Sequence, residues 1–509
     1  MQCECPPEEF FFGRSMRALW LCLLAAPPVS AWDEGRQLSE ADVGLGGLDG
    51  KLKLVQLQVV TSHGDLTPNE PLRHQAYWTS LLPDSAELDT LSLGTYVHHK
   101  EVTWNATGGE EHYCRIRAEV KQIREEYEMV HNALSRRGIL RVEEHGSHLR
   151  RTLVENWPPQ SRQEQLRGGG VWTGEGGEMV FHPASKSGAG GPTEPIHEWE
   201  HLERSPLTSS VEIDYGRGPF LPADYEPGLI RCLSTDYART VSSAQAFLRG
   251  LYPLVNREGT PPIIIDTTHE DELLPDPPNR LTKEQIELER DILSTPEVAK
   301  LDEESSALRE KLAKALQPLL EPSKYESQST VWRWRENAVG VRGLSAWHSL
   351  AELSRALQEH NQLPDGISAE DVAAAAEQRA ARWRILVSDT RLTMLAMRPL
   401  LVDMVEQAAE RLAGGQTRLQ VYSAHPSSIL ALLGALRLDF TGQWPMAGSI
   451  LSTELFLLRG GSSSPAGPAN AYLRFSLDGN ILRSALAGSS KSALEFVPFE
   501  HLQALVAEP

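Results

Sequence analysis

Basic residues are in short supply: 49 lysines and arginines face 69 aspartates and glutamates in 509 residues, a formal charge of −20. A surface with that balance has no general attraction for nucleic acid or an anionic membrane, so neither is expected as a partner. Cysteine is scarce as well. Of the five, Cys3, Cys5 and Cys22 fall in the first 31 residues, leaving Cys114 and Cys232 for the rest of the chain. These two form either one disulfide in an oxidising compartment or two separate buried thiols. Long apolar runs are missing too. Beyond Ala18 to Ala26, nothing approaches the roughly 20 residues that span a bilayer, so no stable membrane span is expected. There is no internal repeat and no sequence signal for an oligomeric state.

The exception at the amino terminus reads as an export signal over residues 1–31. Arg17 precedes the apolar run, and Val29-Ser30-Ala31 has the small-residue form of a cleavage site. Met16 is an alternative start, because Cys3, Cys5, Glu8 and Glu9 are unusual ahead of a signal. A buried apolar helix or a short anchor is the alternative. Export implies a secreted or luminal protein, and Asn105-Ala106-Thr107 is an N-glycosylation acceptor that fits one. A linker at 32–50 leads into residues 51–500, a length that suits one large α/β domain with insertions as well as several small ones.

Within that domain, Leu52, Leu54, Leu57 and Val59 recur at mostly alternating spacing and predict a core strand. The strand runs into Thr61-Ser62-His63-Gly64-Asp65-Leu66-Thr67-Pro68, which places His63 in a glycine turn at the strand's carboxyl end, well placed to line a crevice. A second segment runs from Arg231-Cys232-Leu233-Ser234-Thr235-Asp236-Tyr237-Ala238-Arg239-Thr240 to Gly250-Leu251-Tyr252-Pro253. A third is Leu419-Gln420-Val421-Tyr422-Ser423-Ala424-His425-Pro426, in which another histidine follows another predicted strand and precedes the apolar run Ile429 to Leu436.

In this order the three segments resemble the histidine acid phosphatase family, branch 2 of the histidine phosphatase superfamily. The resemblance covers roughly residues 52–500, with weaker echoes at Leu207-Thr208, His269 to Leu274 and Glu454-Leu455. It implies a three-layer α/β/α core with an inserted helical cap region. It also implies phosphomonoester hydrolysis through a phosphohistidine, without metal or cofactor. By resemblance His63 is the nucleophile, while Arg239 and His425 hold the phosphate. The family's first loop reads Arg-His-Gly-x-Arg-x-Pro, and Ser62 and Leu66 stand where its two arginines belong. Its third segment carries His-Asp, and Pro426 replaces the proton-donating aspartate.

These substitutions strike at the chemistry. Phosphoryl transfer is catalysed mostly by positioning and by stabilising charge on the equatorial oxygens, for which arginine supplies fixed, permanently charged donors. Two lost charge-assisted contacts at about 1.5–3 kcal/mol each remove about 3–6 kcal/mol, on the order of 10²–10⁴ in rate. Loss of a general acid removes a further factor of about 10²–10⁴. Asp65, without flanking arginines, is expected to repel phosphate. Arg73 and His74 are candidate replacement cations, and Glu454 or Asp236 candidate acids. The expectation is a weak or inactive secreted phosphatase acting on a phosphate-ester small molecule or phosphoprotein. A non-catalytic phosphate-ester-binding or interaction protein is the alternative.

Two further stretches complete the reading. Residues 157–206, rich in Gly, Pro and Ser, read as a flexible insertion. Residues from about 282 to 396 turn helical, with Thr282 and Gln285 as a capping box, Thr295-Pro296 opening a second helix and Ser368 capping an Ala-rich one. His197-Glu198-Trp199-Glu200-His201 has the spacing of two zinc ligands on one helix face. Pro195 and Pro206 confine any helix there to barely two turns, so a solvated acidic turn is preferred and no metal is expected.

Overall fold

The computed structural model describes residues 51–68, 72–73, 75–99, 133–155, 170–175, 178–183, 212–214, 218–257, 259–268, 283–319, 347–440, 444–459, 470–486 and 493–507. The signal, His74, Asn105, Cys114, His197, His201, the echoes at 207–208 and 269–274, and Thr282 lie outside them.

The strands, in chain order, are β1 (Lys51–Ser62), β2 (Thr95–His99), β3 (Gly170–Glu175), β4 (Glu178–Pro183), β5 (Glu212–Asp214), β6 (Ile230–Thr235), β7 (Ile263–Thr268), β8 (Leu419–Ala424), β9 (Ile450–Arg459), β10 (Ala471–Leu477), β11 (Asn480–Leu482) and β12 (Val497–Pro498). The main sheet runs β11-β10-β9-β1-β8-β6-β7-β2, with β12 beside β10 and β5 beside β1. From β1 to β2 the pairings are parallel, and from β1 to β11 they are antiparallel. Cys232 sits in β6 as a free, buried thiol.

The principal helices are α1 (Arg136–Arg150), α2 (Ala238–Leu251), α3 (Trp347–Glu359), α4 (Ala369–Ser388), α5 (Thr390–Leu412), α6 (Pro426–Ala435) and α7 (Phe499–Ala507). Strand alternation places two of them on opposite faces of the sheet. Tyr422 in β8 donates its hydroxyl to Asp403 of α5, whereas the next residue, Ser423, donates to the Thr240 carbonyl of α2. Successive strand side chains point to opposite faces, so α5 and α2 cover opposite sides of a three-layer α/β/α core. On the α5 side, Val60, Leu400, Leu401, Met404, Ile429, Leu433 and Phe499 belong to one buried apolar cluster. On the other, α1 and α2 approach closely enough that a Cβ on Gly250 would lie 1.9 Å from the Glu143 carbonyl oxygen, so only glycine fits.

Shorter helices, Lys283–Leu293, Pro296–Glu304 and Ser306–Leu316, lead into α3 and α4. Ser368 and Asp371 form a capping box on α4, and Pro296 occupies the first turn of its helix. Asp389 accepts from the Leu392 N–H at 2.9 Å and caps α5, with Pro399 inside the helix. One element differs from the sequence reading. The 157–206 stretch contains the β3–β4 antiparallel pair. Here the β-branched and aromatic residues Val171, Trp172, Val180 and Phe181 outweigh the glycine-rich composition.

Candidate active site

β1, β8 and β6 lie side by side and in register at their carboxyl ends, with Ser62 opposite Ala424 and Ser423 opposite Ser234. Strands about 4.8 Å apart bring the residues that follow them together. His63 leaves β1, His425 leaves β8, and Asp236 to Arg239 leave β6. The two imidazole rings stand edge to face with centroids 5.5 Å apart. Tyr237 packs edge-on against His425 at 5.6 Å and carries the Arg239 guanidinium over its face at 4.0 Å.

His63 is fixed from both sides. Its N–H donates to the Ala424 carbonyl at 3.2 Å, and its own carbonyl accepts from Gly448 at 2.9 Å. His63 Nδ1 lies 3.0 Å from the Gly64 carbonyl oxygen. A carbonyl only accepts, so Nδ1 carries the proton and Nε2 holds the lone pair. Burial first, then the charge of Arg239, pushes the His63 pKa down to about 3, against a smaller opposing effect of the Gly64 bond. Burial, Arg239 and His63 hold His425 well below the ordinary histidine range. Both rings are therefore neutral throughout the mildly acidic range. His425 Nε2 lies 3.2 Å from Thr235 Oγ1, which is 2.7 Å from Thr240 Oγ1, so a hydroxyl pair supports the second imidazole.

The turn after His63 is held against α1. A Cβ on Gly64 would lie 2.4 Å from the Gly138 carbonyl oxygen, and a Cβ on Gly138 would lie 2.3 Å from that of Asp65. Ser135, which caps α1 by accepting from the Gly138 N–H, donates its hydroxyl to the Asp65 carbonyl at 3.1 Å. Leu66 bridges to Leu134.

The altered positions are now located. Ser62 is fully buried and donates its hydroxyl to the Met446 carbonyl at 2.9 Å, so its proton is directed away from any ligand in the cleft. Leu66 and Pro426 line the cleft, where neither donates a side-chain proton. Asp65 is not the bare repulsive charge expected from the sequence. Arg141 of α1 donates to its Oδ1 at 2.8 Å and neutralises it, although burial still raises its pKa. Arg73 is exposed and absent from the cleft lining; its backbone N–H donates to the Leu319 carbonyl. Glu454 is distant. It lies opposite Leu57 in β1 and pairs with Arg474 at 2.5 Å, six residues from His63 or about 20 Å along the strand. Neither proposed replacement lines the pocket.

The cleft itself has about 70 Å³ of free space, enough for several waters. The His63–Pro68 turn forms one wall; Glu352, Arg355, Ala356 and Glu359 of α3 form another, with Trp444 and Pro426 beside them. Sequence reasoning passed over Arg141, Arg355 and Glu359, which lie in ordinary helical patterns with no motif around them.

A mixed central sheet with helices on both faces matches the fold of the histidine acid phosphatases. A family model for the histidine phosphatase superfamily (branch 2) matches residues 211–462, which include Arg239 and His425 but begin after His63. The chain belongs to that superfamily. Among solved structures it is similar to the phytase from Citrobacter braakii, at 14% identity over 89% of this chain and 97% of that one, with a TM-score of 0.47. It is also similar to Hafnia alvei phytase in complex with myo-inositol hexakis sulphate, at 12% identity, 90% and 98% coverage and a TM-score of 0.47. A third is the Bifidobacterium longum multiple inositol polyphosphate phosphatase in complex with phosphate, at 10% identity, 94% of each chain and a TM-score of 0.44. Among the described residues no helix is long and apolar enough to cross a membrane.

Proposed function

We propose that this protein is an exported, slow phosphomonoesterase that uses His63 as its nucleophile. The observation that carries the reading is the Nδ1 bond to Gly64, which leaves the Nε2 lone pair of a neutral imidazole beside His425 and under the charge of Arg239. His63 Nε2 attacks phosphorus as the P–O ester bond breaks. With Pro426 at the donor position, the departing alkoxide takes its proton from solvent. Water then attacks the phosphohistidine, phosphate leaves, and His63 regains its lone pair. Arg239 neutralises the charge on the phosphoryl oxygens, and the neutral His425 orients them. Esters with good leaving groups need no proton donor, so they are the best substrates.

The orientation of Ser62 toward Met446 and the proline at 426 favour a second reading, in which phosphate esters of small molecules or proteins are bound and not turned over. Hydrolysis of an activated aryl phosphate by the purified protein and by His63→Ala, across acidic pH, separates the two. Slow turnover that disappears in the variant supports the enzyme. Turnover no greater than the variant's background rejects it and leaves the binding protein.

A further inference from the structure

One face of α3 opposes the His63 turn across the cleft. Glu352, Arg355, Ala356 and Glu359 fall at i, i+3, i+4 and i+7, so they form a single stripe, and all four line the pocket. Arg355 is the one arginine or lysine among the described lining residues. Its Nε donates to Glu359 Oε1 at 2.9 Å, and its Nη2 lies 3.4 Å from Met446 Sδ. Met446 is also the residue whose carbonyl accepts the Ser62 hydroxyl. A single residue therefore bridges this guanidinium and the position where the family's first loop arginine is missing. Arg355 and Glu359 both act on the charge of Asp65, which places them near the other end of the turn as well.

We infer that Arg355 is the anion-binding group that replaces the missing loop arginines, and that Glu359 holds it until a phosphate ester displaces the carboxylate. The inference rests on the phosphate-binding reading given above and assigns that site a cation from a different element of the fold. Arginine suits the exchange, since its fork of donors can leave one pair of carboxylate oxygens for a pair of phosphoryl oxygens. Arg355 and Glu359 are about one-fifth and one-quarter exposed, so their mutual attraction is that of a near-surface pair and can be overcome by a doubly charged ligand. Glu359 then acts as an internal competitor that weakens binding without contacting the ligand.

The test is a titration of the full-length protein with inorganic phosphate, followed by ³¹P line broadening. It compares wild type, Arg355→Ala, Arg355→Lys, Glu359→Gln, Arg355→Ala/Glu359→Gln and Arg239→Ala. The expected pattern is weakening of at least about tenfold in Arg355→Ala and partial recovery in Arg355→Lys. Glu359→Gln should bind about two- to fivefold tighter, the worth of a near-surface ion pair. That gain should vanish in the double variant. If Arg355 and Glu359 form only a structural i,i+4 pair, phosphate affinity is the same in all variants except Arg239→Ala, and the inference fails while the binding reading stands. If wild type shows no broadening beyond that of Arg239→Ala, both fail. Retained thermal midpoints identify a change in affinity as one of binding, and the opposite sign expected for Glu359→Gln is not produced by misfolding.

Discussion

Pro426→Asp is expected to return a proton donor to the position where the family carries one, and its effect can be worked from the surroundings of that residue. Pro426 is the first residue of α6, half-buried, directly after His425 and on the cleft wall. Removing proline loosens the unfolded chain at a cost of about 0.4–1 kcal/mol. An aspartate in the first helical turn recovers about 0.3–1 kcal/mol from the exposed N–H groups there. The fold should therefore be nearly unchanged in stability, which urea denaturation will show. The chemical step is where the gain falls. General-acid catalysis supplies about 10²–10⁴ in rate, or roughly 2.7–5.4 kcal/mol at 1.36 kcal/mol per decade. Only a substrate that needs the proton benefits. kcat on an alkyl phosphate should rise steeply, kcat on an activated aryl phosphate should change little, and the gain should grow toward acid pH as the new carboxyl is protonated. At neutral pH the new carboxylate raises KM by repelling the ester. A rise of the same size on both substrates, or none on the alkyl ester while phosphate binding is intact, would refute the placement of the donor at 426. Adding His63→Ala must abolish the gain; if it survives, the new aspartate is working through some other nucleophile.

The remaining predictions concern the support of the site. Gly138→Ala would place a Cβ 2.3 Å from the Asp65 carbonyl oxygen and 2.7 Å from its nitrogen. Those are backbone atoms that cannot swing away, so a loss of about 1–3 kcal/mol is expected in urea denaturation, and an unchanged midpoint would show that the turn does not rest on α1. The buried histidines make the fold acid-sensitive. Both pKa values are depressed in the folded state, to about 3 for His63 and well below 6.5 for His425, so the unfolded chain takes up the protons. The stability from their neutral forms is complete above about pH 6.5 and is lost as pH falls toward 3, at up to 1.36 kcal/mol per unit for each group. Asp65, its carboxyl raised by burial, acts in the opposite sense and offsets part of the loss. Denaturation at pH 7 and pH 4.5 should show a smaller fall in His63→Gln/His425→Gln than in wild type; equal falls would contradict the burial argument.

What was legible in the sequence was whatever depends on local pattern. The alternation before His63, the glycine after it and the apolar runs flanking His425 are constraints of a strand, a turn and a helix, and each is visible within about ten residues. Those segments located both histidines and Arg239 at neighbouring strand ends because a parallel sheet converts three strand–loop junctions into one site. The electrostatics of the pocket were not legible, for a physical reason. Arg141 and Asp65 are 76 residues apart and meet only because α1 docks on the turn through Gly138. Arg355 faces the cleft only because α3 packs its opposite face, Leu350, Leu353 and Leu357, into a separate apolar cluster with Leu72 and Trp78. Arg73 and Glu454 lie near matching segments in the sequence, yet one is on the surface and the other is paired far down the sheet. Arg141 and Arg355 stand on helices that no motif marks, so a replacement for loop arginines has to be looked for across the cleft and not along the chain.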